Sequence, residues 1–251
     1  ISARRSFLDP TLESGEDLHF EQLHTKFTYQ LSQDLKMDWL TLYSNDDLNL
    51  DLNKHVAGGS RRAYDYQKDN VVSGLHFEYV ASEKKFIELT YSFYQMNQNF
   101  KSYLSQSGHE FFNTNQMEQH QRIAFVQHHL FNERNQTEFG FEAKLEHHNL
   151  KYQLYSESVS ELFKGNPIEK NIYAALFFNF AFSLTDRLNL RLGGREEYFS
   201  FNESKLISPR ISAHYQWSEN ASFKMSYGIY AQNTPVFVAL QNDKYKDAPS
   251  M

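Results

Sequence analysis

The run Leu188-Asn189-Leu190-Arg191-Leu192-Gly193-Gly194-Arg195-Glu196-Glu197-Tyr198 alternates apolar and polar residues through its first half. In a strand, that period of two sends the leucines to one face and Asn189, Arg191, Gly193, Arg195 and Glu197 to the other. The pattern recurs twice before Gln232. Ile211, Ala213, Tyr215 and Trp217 oppose Arg210, Ser212, His214 and Gln216. After Ser218-Glu219-Asn220, Phe223, Met225, Tyr227 and Ile229 oppose Lys224, Ser226, Gly228, Tyr230 and Gln232. Globular strands average about five or six residues, whereas a tilted strand crossing a bilayer needs about nine to eleven. Three long alternations in succession, with Tyr198, Phe199, Phe201, Trp217 and Tyr230 near their ends, fit the aromatic girdles of a membrane β-barrel.

Toward the N-terminus the same period marks further strands. Their outward sets are Leu23 to Leu31, Leu35 to Tyr43, Leu75 to Tyr79, Ile87 to Phe93, Phe139 to Leu145 and Ile172 to Phe182, taken at alternate residues. With Ile1 to Leu8 and Gln119 to Phe131, the reading gives roughly eleven strands. Tight turns near Gln33, Glu83, Arg134, Asp186 and Glu219 alternate with longer polar links at Ser44 to Asn70, Asn97 to Gln116 and Tyr152 to Lys170. Short periplasmic turns and longer extracellular loops give an outer-membrane barrel this asymmetry. The outward set changes from odd to even numbers near Ser44, which predicts a bulge or a break there.

Composition narrows the class. The longest apolar run, Ile172 to Leu184, is interrupted by Asn179 and Ser183 and falls short of the roughly 18 residues of a spanning helix. A mean hydropathy of -0.66 still suits a barrel, because only alternate residues face lipid. With no cysteine the chain has no disulfide framework and no thiolate metal site. A net charge of -6 without a basic stripe argues against nucleic acid as a partner. Ile1-Ser2-Ala3-Arg4-Arg5 lacks the apolar stretch of a signal peptide, and no closing strand ending in an aromatic residue is found near Met251. The chain is therefore expected to be part of a longer protein.

Gly193-Gly194-Arg195-Glu196-Glu197-Tyr198, then Ile207-Ser208-Pro209-Arg210-Ile211-Ser212, then Ser226-Tyr227-Gly228-Ile229-Tyr230-Ala231-Gln232-Asn233-Thr234-Pro235 resemble, in order and spacing, the late barrel strands of TonB-dependent outer-membrane receptors. Ile1 to Asp9 resembles an early-barrel segment of such receptors from Bacteroidetes-type bacteria. The resemblance implies an all-β fold, an antiparallel up-and-down transmembrane β-barrel. Residues 1–251 would supply about half of a barrel of about 22 strands, with the plug domain and the closing C-terminal strands outside this sequence. An odd strand count points the same way, since unpaired edges are untenable in lipid.

The resemblance also implies a place in the outer membrane of a Gram-negative bacterium and active uptake of a scarce solute: a siderophore, vitamin, glycan or peptide. The partners it implies are outer-membrane lipid, that small solute, a TonB-type energy-coupling protein acting through the plug and, in a Bacteroidetes-type source, a surface lipoprotein. No cofactor is expected.

Candidate functional residues fall into two sets. Arg195, Glu197, Arg210, His214, Tyr230 and Gln232 share the inferred lumen face of three consecutive strands, where they would either meet plug and solute or pair among themselves to stiffen the wall. Tyr64, Tyr66, Phe111, Phe112, Phe163 and Phe237 fall in the predicted extracellular loops and are candidates for solute capture, since loops carry recognition.

The eleven histidines include His128-His129 and His147-His148, but adjacent strand residues point to opposite faces and cannot chelate as a pair. His120 could approach His147, yet the register that pairs Phe125 with Phe141 removes that contact. No metal site is expected. Asp47-Leu48-Asn49-Leu50-Asp51-Leu52-Asn53 is similar to a calcium loop but lacks the glycine and glutamate of an EF-hand, and reads better as a strand with a polar side. No G-x-S-x-G, H-E-x-x-H or Walker motif is present, so no enzyme is expected. Two other readings remain open: a passive pore or small self-contained barrel, and a soluble all-β binding module whose Phe178, Phe180 and Phe182 would pack on a second sheet.

Overall fold

The computed structural model describes residues 2–5, 17–51, 62–104, 108–132, 134–155, 161–165 and 168–230. They form one antiparallel sheet of twelve strands. In chain order these are β1 (Ser2–Arg5), β2 (Asp17–Gln30), β3 (Leu35–Asp51), β4 (Arg62–Ser82), β5 (Lys85–Leu104), β6 (Glu110–Asn132), β7 (Asn135–Tyr155), β8 (Glu161–Gly165), β9 (Ile168–Ser183), β10 (Leu188–Phe199), β11 (Ser204–Ser218) and β12 (Ala221–Gly228). Each strand pairs with its neighbour in sequence, except that β8 pairs only with the upper end of β7 while β9 continues the path. Eleven strands thus follow an up-and-down order, and β8 is a short finger beside them.

The tight turns fall where the sequence places them, and four of the five share a device. A side-chain oxygen accepts the amide hydrogen two residues on: Ser32 from Asp34 (3.3 Å), Ser82 from Lys84 (3.3 Å), Asn132 from Arg134 (2.9 Å) and Thr185 from Arg187 (3.2 Å). Such local bonds replace the ladder where a strand reverses.

The links at the opposite end differ from expectation. Much of Ser44 to Asn70 and of Asn97 to Gln116 is strand, because β3 runs on to Asp51, β4 starts at Arg62, β5 reaches Leu104 and β6 starts at Glu110. Part of Tyr152 to Lys170 is strand too. The bulge expected near Ser44 is also absent: β2 and β3 pair without a shift from Gln30↔Lys36 to Asp17↔Asn49. The parity change has another cause, which the two faces reveal.

From β2 to β7 and again on β11 and β12 odd-numbered residues lie on one face wherever the register is regular, and on β9 and β10 the even-numbered residues take that face. Low on the strands this face carries an apolar band, traced from strand to strand as Phe27, Trp39, Leu75, Tyr91 and Ile123 in one row and Tyr29, Met37, Phe77, Leu89, Phe125, Phe141 and Leu176 in the next. Phe27 stacks on Trp39 and Phe125 on Phe141, each at 5.6 Å, and Trp39 donates its indole hydrogen to Ser73 (3.2 Å).

Phe178 remains 55% exposed, and no second sheet covers this face among the described residues. The second layer that the soluble-module reading places on Phe178, Phe180 and Phe182 is not found among the described residues. All buried residues except Ala63 lie on the even face or on the matching odd positions of β9 and β10, the crowding expected on the concave side of a curled sheet. The concave residues of β9 include Asn171, Tyr173, Ala175, Phe177 and Asn179, paired in turn with Glu146, Lys144, Glu142, Gly140 and Glu138 of β7, and those of β10 include Arg195 and Glu197, paired with Phe177 and Ala175.

Candidate functional site on the inner wall

The concave face carries a ladder of charges at mid-height. Glu142 of β7 accepts from Arg122 Nε of β6 at 2.6 Å and from Arg195 Nη2 of β10 at 3.2 Å. Arg195 Nε donates to Glu197 Oε1 at 2.9 Å, Tyr173 Oη donates to the same oxygen at 2.6 Å, and Arg195 also reaches Tyr173 Oη. The Arg195 guanidinium lies over the Phe177 ring, 5.5 Å from its centre. Below, His128 sits between Glu88 (3.3 Å) and Glu138 (3.7 Å), stacked on Phe86. Four strands thus supply one paired network, and opposite charges drawn out of water need such partners.

Above this ladder the two faces exchange character. On the convex side the apolar band gives way to Asn45, Asp69 and Asn97, then Asp47, Gln67, Asn99 and Asn115. Bonds cross this face from strand to strand, Asn45 to Asp69 at 2.6 Å and, one rung above Asp47, Asn49 to Asp65 at 3.0 Å. On the concave side the matching positions are Leu48, Leu50, Tyr64, Tyr66, Phe100 and Phe112. Tyr64 and Phe100 lie 6.1 Å apart and Phe100 and Phe112 6.0 Å apart between ring centres. Burial, then the nearby Asp46 carboxylate, pushes the Tyr66 hydroxyl above the usual tyrosine range. The parity change near Ser44 is therefore real in composition while the backbone runs on: where the strand leaves the hydrocarbon, water takes the outer face and the leucines turn inward.

The sequence-derived candidates sort accordingly. Arg195 and Glu197 join the charged ladder. Arg210 and Tyr230 meet each other, the guanidinium 4.9 Å from the ring centre. His214 lies on the same face between Asn189 and Lys224. Gln232 and Phe237 lie outside the described residues, as does the Phe163 side chain, although the Phe163 backbone in β8 pairs with Leu154 of β7.

Tyr64, Tyr66, Phe111 and Phe112 are strand residues of β4 and β6, which corrects their assignment to loops. Tyr64, Tyr66 and Phe112 belong to the inner aromatic lining; Phe111 packs edge-on to His109 at 5.4 Å instead. Sequence reading missed Arg122, Glu142, Tyr173 and Phe100. The grouping of Glu118 with His120 and His148 on the inner face of β6 and β7 is not legible in the sequence either.

The family described as "TonB dependent receptor-like, beta-barrel" matches residues 14–243. The chain belongs to the TonB-dependent receptor family. No curated protein matches it. Among solved structures, this TonB-dependent receptor chain is similar to the alcaligin outer-membrane receptor FauA of Bordetella pertussis, at 14% identity and a TM-score of 0.62 over 92% of this chain and 37% of that one. The siderophore receptor PiuA of Acinetobacter baumannii aligns at 10% identity and a TM-score of 0.64, over 95% and 44%. FpvA of P. aeruginosa, solved with heterologous pyoverdines, aligns at 11% identity and a TM-score of 0.67, over 88% and 36%.

At these identities the likeness is one of fold, and the chain spans less than half the length of each neighbour. The short turns are then periplasmic, the long strand ends extracellular, the convex band faces lipid and the concave face lines the lumen. The protein resides in the outer membrane of a Gram-negative cell, and the family is one of receptors rather than enzymes.

Proposed function

We propose that this chain is part of the wall of a receptor that takes up a small solute across the outer membrane, coupled to a TonB-type protein through a plug. The observation that carries the reading is the inward turn of Tyr64, Tyr66, Phe100 and Phe112 above the charged ladder. Rigid aromatic rings at the lumen mouth, followed by arginine and glutamate lower down, suit a solute with a ring or apolar surface and a polar remainder. A siderophore has that character, and the siderophore receptors among the structural neighbours support this choice over a glycan or vitamin.

The test is uptake by cells carrying the full-length receptor, against a panel of iron chelates, vitamins, glycans and peptides under limitation. Replacing Tyr64 and Phe100 by alanine is expected to weaken capture about tenfold, the worth of one ring contact of about 1.4 kcal/mol. Dissipating the proton motive force is expected to stop accumulation. Continued entry without it would favour the passive pore, and full capture by the double variant would remove the aromatic mouth from the account.

A further inference from the structure

We propose that Glu118, His120 and His148 form a binding site for one divalent ion of the zinc type on the lumen wall, above the membrane. β6 and β7 pair with Glu118 opposite His148 and His120 opposite Glu146, so all three side chains share the inner face. One donor atom of each lies within 4.8 Å of the donors of the other two. The His120 and His148 rings stand 5.5 Å apart at 63°. Glu118 Oε1 is 2.7 Å from His120 Nε2 and 3.9 Å from His148 Nδ1. Donors around tetrahedral zinc sit about 3.4 Å apart for bonds of about 2.1 Å, a closure that side-chain rotation supplies.

Burial distinguishes this cluster from ordinary wall charges. His148 is only 6% exposed, and its Nε2 has no hydrogen-bond partner. His120 Nε2 is equally shielded and lies near the carboxylate without the alignment of a hydrogen bond. An unpaired buried nitrogen such as His148 Nε2 is costly, and a structure keeps one where something else can satisfy it. Met96, paired with Glu118 from β5, is buried beside the cluster, and the Tyr94 ring lies 5.3 Å from that of His120. The neighbouring ammonium of Lys144 is occupied by Glu146 at 2.5 Å.

Two imidazoles and one carboxylate favour Zn²⁺ and its transition-metal relatives over Ca²⁺ or Mg²⁺, which want oxygen cages. Three protein ligands leave a fourth position for water or for a donor group on a passing solute. The adjacent His147 projects to the opposite face and takes no part.

The test uses the tag-free full-length receptor in detergent, stripped with chelator and titrated with Zn²⁺ alone, with Co²⁺ absorption as a reporter of tetrahedral coordination. The expected result is one equivalent bound beyond that of a Glu118→Gln, His120→Gln, His148→Gln variant. His120→Gln alone should weaken that equivalent about tenfold or more, and His147→Gln should leave it unchanged. Heat-modifiable gel mobility shows that each variant is folded; if the triple variant is not, His120→Gln decides. Equal Zn²⁺ binding by wild type and His120→Gln, or equal losses in His120→Gln and His147→Gln, would overturn the assignment.

Discussion

Asn49 of β3 donates a 3.0 Å hydrogen bond to Asp65 of β4 on the same outward face that carries, lower on those two strands, Trp39 paired with Leu75. One face of one hairpin therefore meets two solvents. Asn132 ends β6 at the turn; Glu118 on the same strand stands roughly 33 Å above it, at about 3.3 Å per residue and a tilt of about 45°, clear of an apolar band about 25 Å tall.

The change of solvent predicts a depth-dependent response to charge. Leu75→Arg, within the apolar band, should cost about 2–4 kcal/mol, whereas Gln67→Arg, on the same face of the same strand, should cost about 0–1 kcal/mol. Denaturant titration of the full-length receptor folded in liposomes measures both. Equal costs would contradict the placement of the band.

Gly140 is required for close packing on the inner wall. A Cβ there would lie 2.6 Å from the Phe125 carbonyl oxygen and would also press on the Phe177 ring. At Gly74 the nearest atom, the Tyr91 carbonyl oxygen, is 3.4 Å away. Gly140→Ala should therefore destabilise by about 1–3 kcal/mol, and Gly74→Ala by clearly less. The same liposome titration gives the comparison, and a reversed order would refute it.

Arg195 and Glu142 should behave as a coupled pair. They meet at 3.2 Å and share the ladder with Arg122 and Glu197. A double-mutant cycle with Arg195→Met and Glu142→Gln is expected to return a coupling of about 0.5–3 kcal/mol. Additive effects would mean that the contact between the two carries no stability and that each is satisfied by its other partners or by water.

Alkaline titration should find Tyr66 ionising late, because burial and Asp46 oppose its phenolate. Up to about pH 10 folded and unfolded chains both keep the proton. Above that the unfolded chain releases it first, so this contribution to stability is complete below about pH 10 and is lost as pH rises through the folded value. Ultraviolet titration of the full-length receptor should show Tyr66→Phe missing a step above the ordinary tyrosine range. A missing step at or below about pH 10 would disprove the shift.

The strand path and the turns were legible because lipid enforces a period of two and the reversals use Ser, Thr and Asn. The pairing of Phe125 with Phe141 was legible for the same reason, since two large apolar side chains had to share the lipid face. Beyond the hydrocarbon that rule inverts: Asp47-Leu48-Asn49-Leu50 reads as a strand with a polar side and is one, but the exchange of faces at Ser44 has the signature of a bulge while the backbone continues the ladder.

The contact of Arg195 with Glu142 crosses the strand between them and depends on two registers at once, which no local pattern specifies. His120 and His148 meet on a diagonal, one rung apart. Sequence spacing singles out adjacent histidines and the pair His120 and His147, but not this diagonal.

The exchange of faces also fixes the barrel's draught in the membrane. Sinking by one rung would drag Asn45 and Asp69 toward hydrocarbon, and rising by one would lift Phe27 and Trp39 toward water. A pull along the strands therefore meets a restoring force from the bilayer across β2 to β6, and this part of the wall is moored at a fixed depth.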